Sequence, residues 1–165
     1  MIPLATSYQL IFDKFIKEIK NDNQFLNYKG LTDQEIEEMV DNHLNSLLDR
    51  SIDKIYGFGL PDINFFDRDD TLKQFNVDLI PQEISLLSEL MYLNYYEEER
   101  NKLKVFGFTF RSSELNVFSP ANDRKTFLEM LQKIETNAMN SISNYLSRDR
   151  VTWIQKSIYG SNGSS

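Results

Sequence analysis

The stretch from Pro81 to Leu103 restricts the fold more than any other part of the chain. Pro81 suits the first position of a helix, where its missing N–H removes no bond. Ile84, Leu87, Leu90, Met91, Leu93 and Leu103 follow. Between 84 and 96 apolar side chains cover much of the helix circumference, so this segment has to be packed on more than one side. The residue before Pro81 is Ile80, where a Ser, Thr or Asp cap is expected. Another group must cap this start, or Ile80 acts as a staple.

The partners of such a helix are legible as three segments with single apolar faces. Thr6 and Gln9 form a capping-box pattern ahead of Tyr8, Ile11, Phe12, Phe15, Ile16 and Ile19, and "NDNQ" at 21–24 ends the run. Thr32 and Glu35 repeat the pattern ahead of Ile36, Met39, Val40, Leu44, Leu47, Leu48, Ile52 and Ile55. Asp33, Glu35, Glu37 and Glu38 stand in its first turns, which suits the positive end of the helix dipole. "YGFGLPDINFFDRDD" then breaks the period, and Gly57 and Gly59 read as a helix C-terminus with residues at positive φ. Ser119-Pro120 opens the last segment, in which Phe127, Leu131, Ile134, Ala138, Ile142 and Tyr145 keep a 3.6-residue period. A helix over 120–147 is about 42 Å long at ~1.5 Å per residue, long for a small bundle.

Two segments fall outside this pattern. In "KVFGFTF", Phe106, Phe108 and Phe110 alternate with Gly107 and Thr109, which predicts a short strand or extended segment over 105–110. The chain closes on "RVTWIQKSIYGSNGSS", which holds its one tryptophan, Trp153. The expected fold is therefore mainly α: a single body of about four helices over 1–147, a short extended or β segment near 105–110, and an extended tail over 148–165.

Charge separates body from tail. Residues 148–165 hold three of the 18 basic side chains and one of the 25 acidic, a net +2, which leaves −9 on residues 1–147. An acidic body repels phosphate backbones and argues against general nucleic-acid binding. A basic tail instead suits a partner of complementary charge, including another copy of the body. The alternative is that so small an excess carries no meaning. "MIPLATSYQL" has no basic region followed by an apolar one, and no apolar run approaches the ~20 residues of a membrane span. A soluble protein without signal peptide or membrane contact is expected.

Catalytic chemistry finds few residues. Cysteine is absent and His43 is the one histidine, so thiolate and two-histidine metal sites are excluded. His43 itself reads as a residue bordering the second helix's apolar face. Asp62, Asp67, Asp69 and Asp70 gather in "DINFFDRDD", but without the glycine and distal glutamate of a calcium loop. They read as a solvated loop in which Asp69 or Asp70 caps a short turn, "DTLKQF". No glycine-rich phosphate loop and no nucleophile elbow is present. The expectation is a protein that is not an enzyme, with no catalytic residue, no metal and no cofactor.

Three motifs place Arg beside Asp: "FDRDD" at 66–70, "ANDR" at 121–124 and "SRDR" at 147–150. Each is either a local cap with surface ion pairs or a guanidinium fork reaching a carboxylate of a neighbouring subunit.

The run "YGFGLPDINFFDRDDTLKQFNVDLIPQEISLLSELMY", with "LNVFSPANDRKTFLEMLQKIE" and "NYLSRDR", resembles the head–tail connector proteins of tailed phages, also called adaptor or neck proteins. The resemblance spans residues 40 to 150 and rests on overall texture. It implies a helical virion subunit, made in the host cytoplasm. Such subunits form rings, commonly twelve-fold, beneath the portal at the capsid vertex. Implied partners are further copies of the chain, the portal protein and another neck or tail-side protein, with DNA passing the channel without specific binding. On this reading Trp153, Ile154, Ile158 and Tyr159 anchor the tail on a neighbour, Arg148, Arg150 and Lys156 steer it, and Phe106, Phe108 and Phe110 offer a second contact surface. The other readings are a soluble helical binding module or assembly chaperone absent from the mature particle, a metal-dependent enzyme using the carboxylates of 62–70, and a tail that folds back along its own body.

Overall fold

A computed structural model describes residues 5–19, 30–109 and 121–157, giving the backbone alone for 103–109 and 121–124. Leu87, Leu90, Met91 and Leu93 are all fully buried, because the helix that carries them is enclosed by the others. That helix is α3 (Pro81–Thr109), and it packs against α1 (Tyr8–Ile19), α2 (Asp33–Phe58) and α4 (Ala121–Leu146). Ile11 and Phe15 face it from α1, Leu47, Leu48, Ile52 and Ile55 belong to the buried face of α2, and Leu131, Ala138 and Ile142 to that of α4. A buried polar contact joins α2 and α3: Asn94 Nδ2 donates to Ser51 Oγ at 3.1 Å, and Ser51 Oγ donates to the Leu47 carbonyl at 2.7 Å.

The protein is mainly helical, with a small three-stranded antiparallel sheet at a place the alternation of phenylalanines does not mark. Its strands are β1 (Thr6–Ser7), β2 (Arg68–Asp69) and β3 (Gln74–Phe75), in the order β1-β3-β2. β2 and β3 form a hairpin in which Asp69 Oδ1 accepts from Thr71 N at 2.9 Å and Leu72 N at 3.0 Å. The Asp69 cap thus closes a hairpin loop, not a helical turn. Lys73, at φ 52°, lets the chain reverse there.

The strand expected over 105–110 is not one. α3 continues through Thr109, so Phe106 and Phe108 lie on a helix, while Phe110 lies outside the described residues. An established helix gains one hydrogen bond per added residue, and a single glycine such as Gly107 costs it only ~1 kcal/mol. Period-2 spacing in a seven-residue run is too weak to offset that.

The helix ends also differ from expectation in instructive ways. Thr32 and Glu35 make both halves of the capping box. At α1, however, Ser7 Oγ accepts from Gln9 N, and Thr6 Oγ1 instead accepts from Leu79 N at 2.8 Å. Gly59 closes α2 at φ 168°, an extended conformation and not a positive-φ one. What an added side chain would meet there is Leu146 Cδ1, 3.2 Å away. The turn "NDNQ" and the Ser119-Pro120 start lie outside the described residues.

Replacing Leu87 by Ala removes buried volume at the centre of three helix contacts, and should lower the unfolding free energy by about 2–5 kcal/mol. Leu60, 83% exposed, should tolerate Ser within about 0.5 kcal/mol. Urea titrations followed by circular dichroism read both.

Candidate interaction surface

α4 ends at Leu146 and the chain reverses at once. Asp149 Oδ1 accepts from Val151 N, Thr152 N and Thr152 Oγ1 at 2.8–3.1 Å. These bonds, Thr152's first, hold the Asp149 carboxyl below the ordinary carboxylate range. Trp153 N donates to Asp149 O, Asp149 N to Ile154 O, and Lys156 N to Ser147 O, so Arg148 and Gln155 face each other as a bridge. Trp153 takes φ 60°, a left-handed conformation uncommon for a bulky residue. The Arg148 guanidinium donates to the Trp153 carbonyl at 3.1 Å and stands 5.9 Å from the centre of its ring. Residues 147–156 therefore form a closed turn.

This turn is fastened to the body by charge. The Arg150 fork donates to both oxygens of Glu83, Nε to Oε1 at 2.7 Å and Nη2 to Oε2 at 3.0 Å, and Nη2 also donates to the Asp78 carbonyl. Glu83 is fully buried and takes two further bonds at 2.9 Å, from Tyr145 Oη and from Ile80 N. The second solves the problem posed by Ile80: the cap of α3 is its own Glu83, reaching back from the third helical position. Burial first, and then the Glu83 charge and bond, push the Tyr145 hydroxyl well above the usual tyrosine range. The Glu83 bond likewise raises Arg150. Asp62 completes the fastening, accepting from Arg150 N at 3.2 Å and from Lys156 Nζ at 2.7 Å.

The candidate residues of the tail thus divide. Trp153 is half-buried and packs against the core, lining a groove of about 410 Å³ with Pro81, Leu86, Ser141 and Tyr145. The body does use this aromatic, as the fold-back alternative requires. Arg148 and Arg150 bond within the chain. Val151 and Ile154 point outward, 86% and 68% exposed. Ile158 and Tyr159 lie outside the described residues. Leu60 sits two residues before Asp62 and is exposed, as is Phe58. Sequence reasoning missed Leu60 and Phe58. Their signal was present in "YGFGLPD", which reads first as a helix stop.

Two of the three Arg–Asp motifs also resolve within the chain. Arg68 pairs with Asp49 at 2.7 Å and Asp70 at 3.4 Å. The side chains of "ANDR" at 121–124 lie outside the description. The carboxylates of 62–70 serve separate partners: Asp67 accepts from Asn76, Asp69 caps the hairpin, and Asp70 accepts from Tyr8 Oη. Among the described residues no three His, Cys, Asp or Glu side chains converge as a metal site. His43 Nε2 lies 2.7 Å from Glu98, which also meets Arg50, while Glu97 meets Arg50 and Lys54. This ladder ties α2 to α3.

No family model, curated protein or solved structure matches the chain. Among the described residues no helix is long and apolar enough to cross a membrane.

The ladder has a pH signature. Burial alone raises the Glu98 carboxyl, but the His43 bond and the charges of His43, Arg50 and Lys102 outweigh it and hold the group below its ordinary value. A depressed carboxyl stabilises the fold above its unfolded pKa, near 4.5, and that contribution disappears as pH falls through the folded value. The stability gap between wild type and Glu98→Gln should therefore narrow as pH is lowered from 5 to about 3 in urea titrations.

Proposed function

We propose that this chain is a non-enzymatic structural subunit of a tailed-phage virion. In this reading it is a head–tail connector that assembles as a ring beneath the portal and joins capsid to tail. Its partners are further copies of itself, commonly twelve in such rings, the portal protein and a further neck or tail-side protein. DNA passes the channel without specific binding. The observation that carries the reading is the presentation of exposed Val151 and Ile154 on a closed turn that is fastened to the body at Asp62. A turn whose conformation is already set loses little entropy on docking, so exposed apolar side chains there are suited to contact with another chain. The sequence resemblance over residues 40 to 150 supports the same class, and the helical bundle is compatible with it.

The interface assignment changes with the geometry. Val151, Ile154, Leu60 and Phe58 are the proposed contact residues, while Trp153, Arg148 and Arg150 hold the turn in place. Phe106, Phe108, Phe110, Ile158 and Tyr159 stay in the proposal on sequence grounds alone.

Mass spectrometry of purified particles from the encoding phage should find the protein in multiple copies. A particle that lacks it would favour the assembly-chaperone reading instead. In the particle context, Val151→Asp with Ile154→Asp should block incorporation while the isolated variant keeps its helical circular dichroism. Normal incorporation would exclude these two residues from the contact.

A further inference from the structure

The way residues 147–156 are held differs from the way the helices are held. Of their apolar side chains only Trp153 packs against the core, while Val151 and Ile154 face solvent. Fixation to the body rests on Arg150 with Glu83 and the Asp78 carbonyl, and on Asp62 with Lys156 and the Arg150 amide. The segment is also closed on itself. The Asp149 cap, the Asp149–Ile154 and Ser147–Lys156 backbone bonds and the Arg148–Trp153 bond all lie inside it. None of these is broken when it leaves the body.

The body keeps part of its own bonding in that event. Without Arg150, Glu83 keeps the Ile80 N–H and the Tyr145 hydroxyl, and the Arg150 side chain is 22% exposed, so water can reach the vacated place. The apolar contacts joining α1, α2, α3 and α4 involve no residue of the segment beyond Trp153. Segments with few apolar contacts and their own internal bonding open at far lower free energy than the core around them.

We infer that residues 147–156 form a releasable strap, latched by the Arg150 fork on Glu83, which opens as a unit while the four-helix body stays folded. The inference is independent of the proposed function, since it concerns one chain in isolation. Opening uncovers Glu83 and the edge of the groove lined by Leu86 and Tyr145, and leaves a place shaped for a guanidinium group.

The single tryptophan makes this measurable. In the full-length protein, Arg150→Ala should shift Trp153 emission to the red. It should also speed trypsin cleavage after Arg148 by roughly tenfold or more, the scale of losing a charged hydrogen bond, with far-UV circular dichroism unchanged. Arg150→Lys, which keeps the charge but not the fork, should fall between the two and remains informative if the alanine variant folds poorly. Methylguanidinium should restore blue emission to Arg150→Ala but not to Arg150→Ala with Glu83→Gln. The inference is overturned if emission does not move in either variant, if it moves only together with loss of helicity, or if methylguanidinium acts equally on both backgrounds.

Discussion

A carboxylate taken fully out of water must be compensated on the spot, and Glu83 is compensated from three directions. Burying an ionised group costs several kcal/mol unless hydrogen bonds and counter-charge replace its hydration. Here the donors come from the loop before α3, from the end of α4 and from the segment after it. Neither the loop before α3 nor the end of α4 can shift along its neighbour without loosening that compensation, and departure of the segment after α4 leaves Glu83 to those two donors and water. The same requirement explains how α3 starts behind an isoleucine, since the residue that would be costly to bury is also the cap.

From this point a line of rings runs across the base of the bundle. Tyr145 meets Phe65, Phe65 meets Phe75, and Phe75 meets Tyr8 edge-on at 5.1 Å. The hairpin is therefore joined to α1 through Phe75 and to α4 through Phe65, which precedes it. At another part of the α2–α3 interface, the ladder of His43, Arg50 and Lys54 with Glu97 and Glu98 is partly wet. Such pairs stabilise little individually, so alignment of these two helices rests more on the buried Asn94–Ser51 contact and the apolar side chains around it.

The helices were legible because their signals are local. Apolar residues at 3.6-residue spacing and the Thr32–Glu35 box need no knowledge of distant chain, and the all-round apolar character of 84–96 correctly marks α3 as central. What could not be read depends on contacts far apart in sequence. Arg150 finds Glu83 across 67 positions, and Thr6 finds Leu79 across 73. A threonine three residues ahead of a glutamine looks like a box in either case. The alternating phenylalanines misled for the opposite reason, being a local pattern that continuation of a helix overrides. At the candidate surface, "SRDR" showed that arginines mattered near the end of α4, but not that their carboxylate lay in the same chain.

The sheet has a consequence for the order of events along the chain. β1 at residues 6–7 pairs with β3 at 74–75, and the Tyr8 amide is bonded to the Lys73 carbonyl. An emerging polypeptide therefore makes α1 long before the hairpin that receives its first residues exists. Closing that loop brings together ends separated by the whole of α1 and α2, an entropic cost that contacts within one helix do not carry. Until α3, later still in the chain, has emerged, the face of α1 formed by Ile11 and Phe15 lacks the helix it packs against.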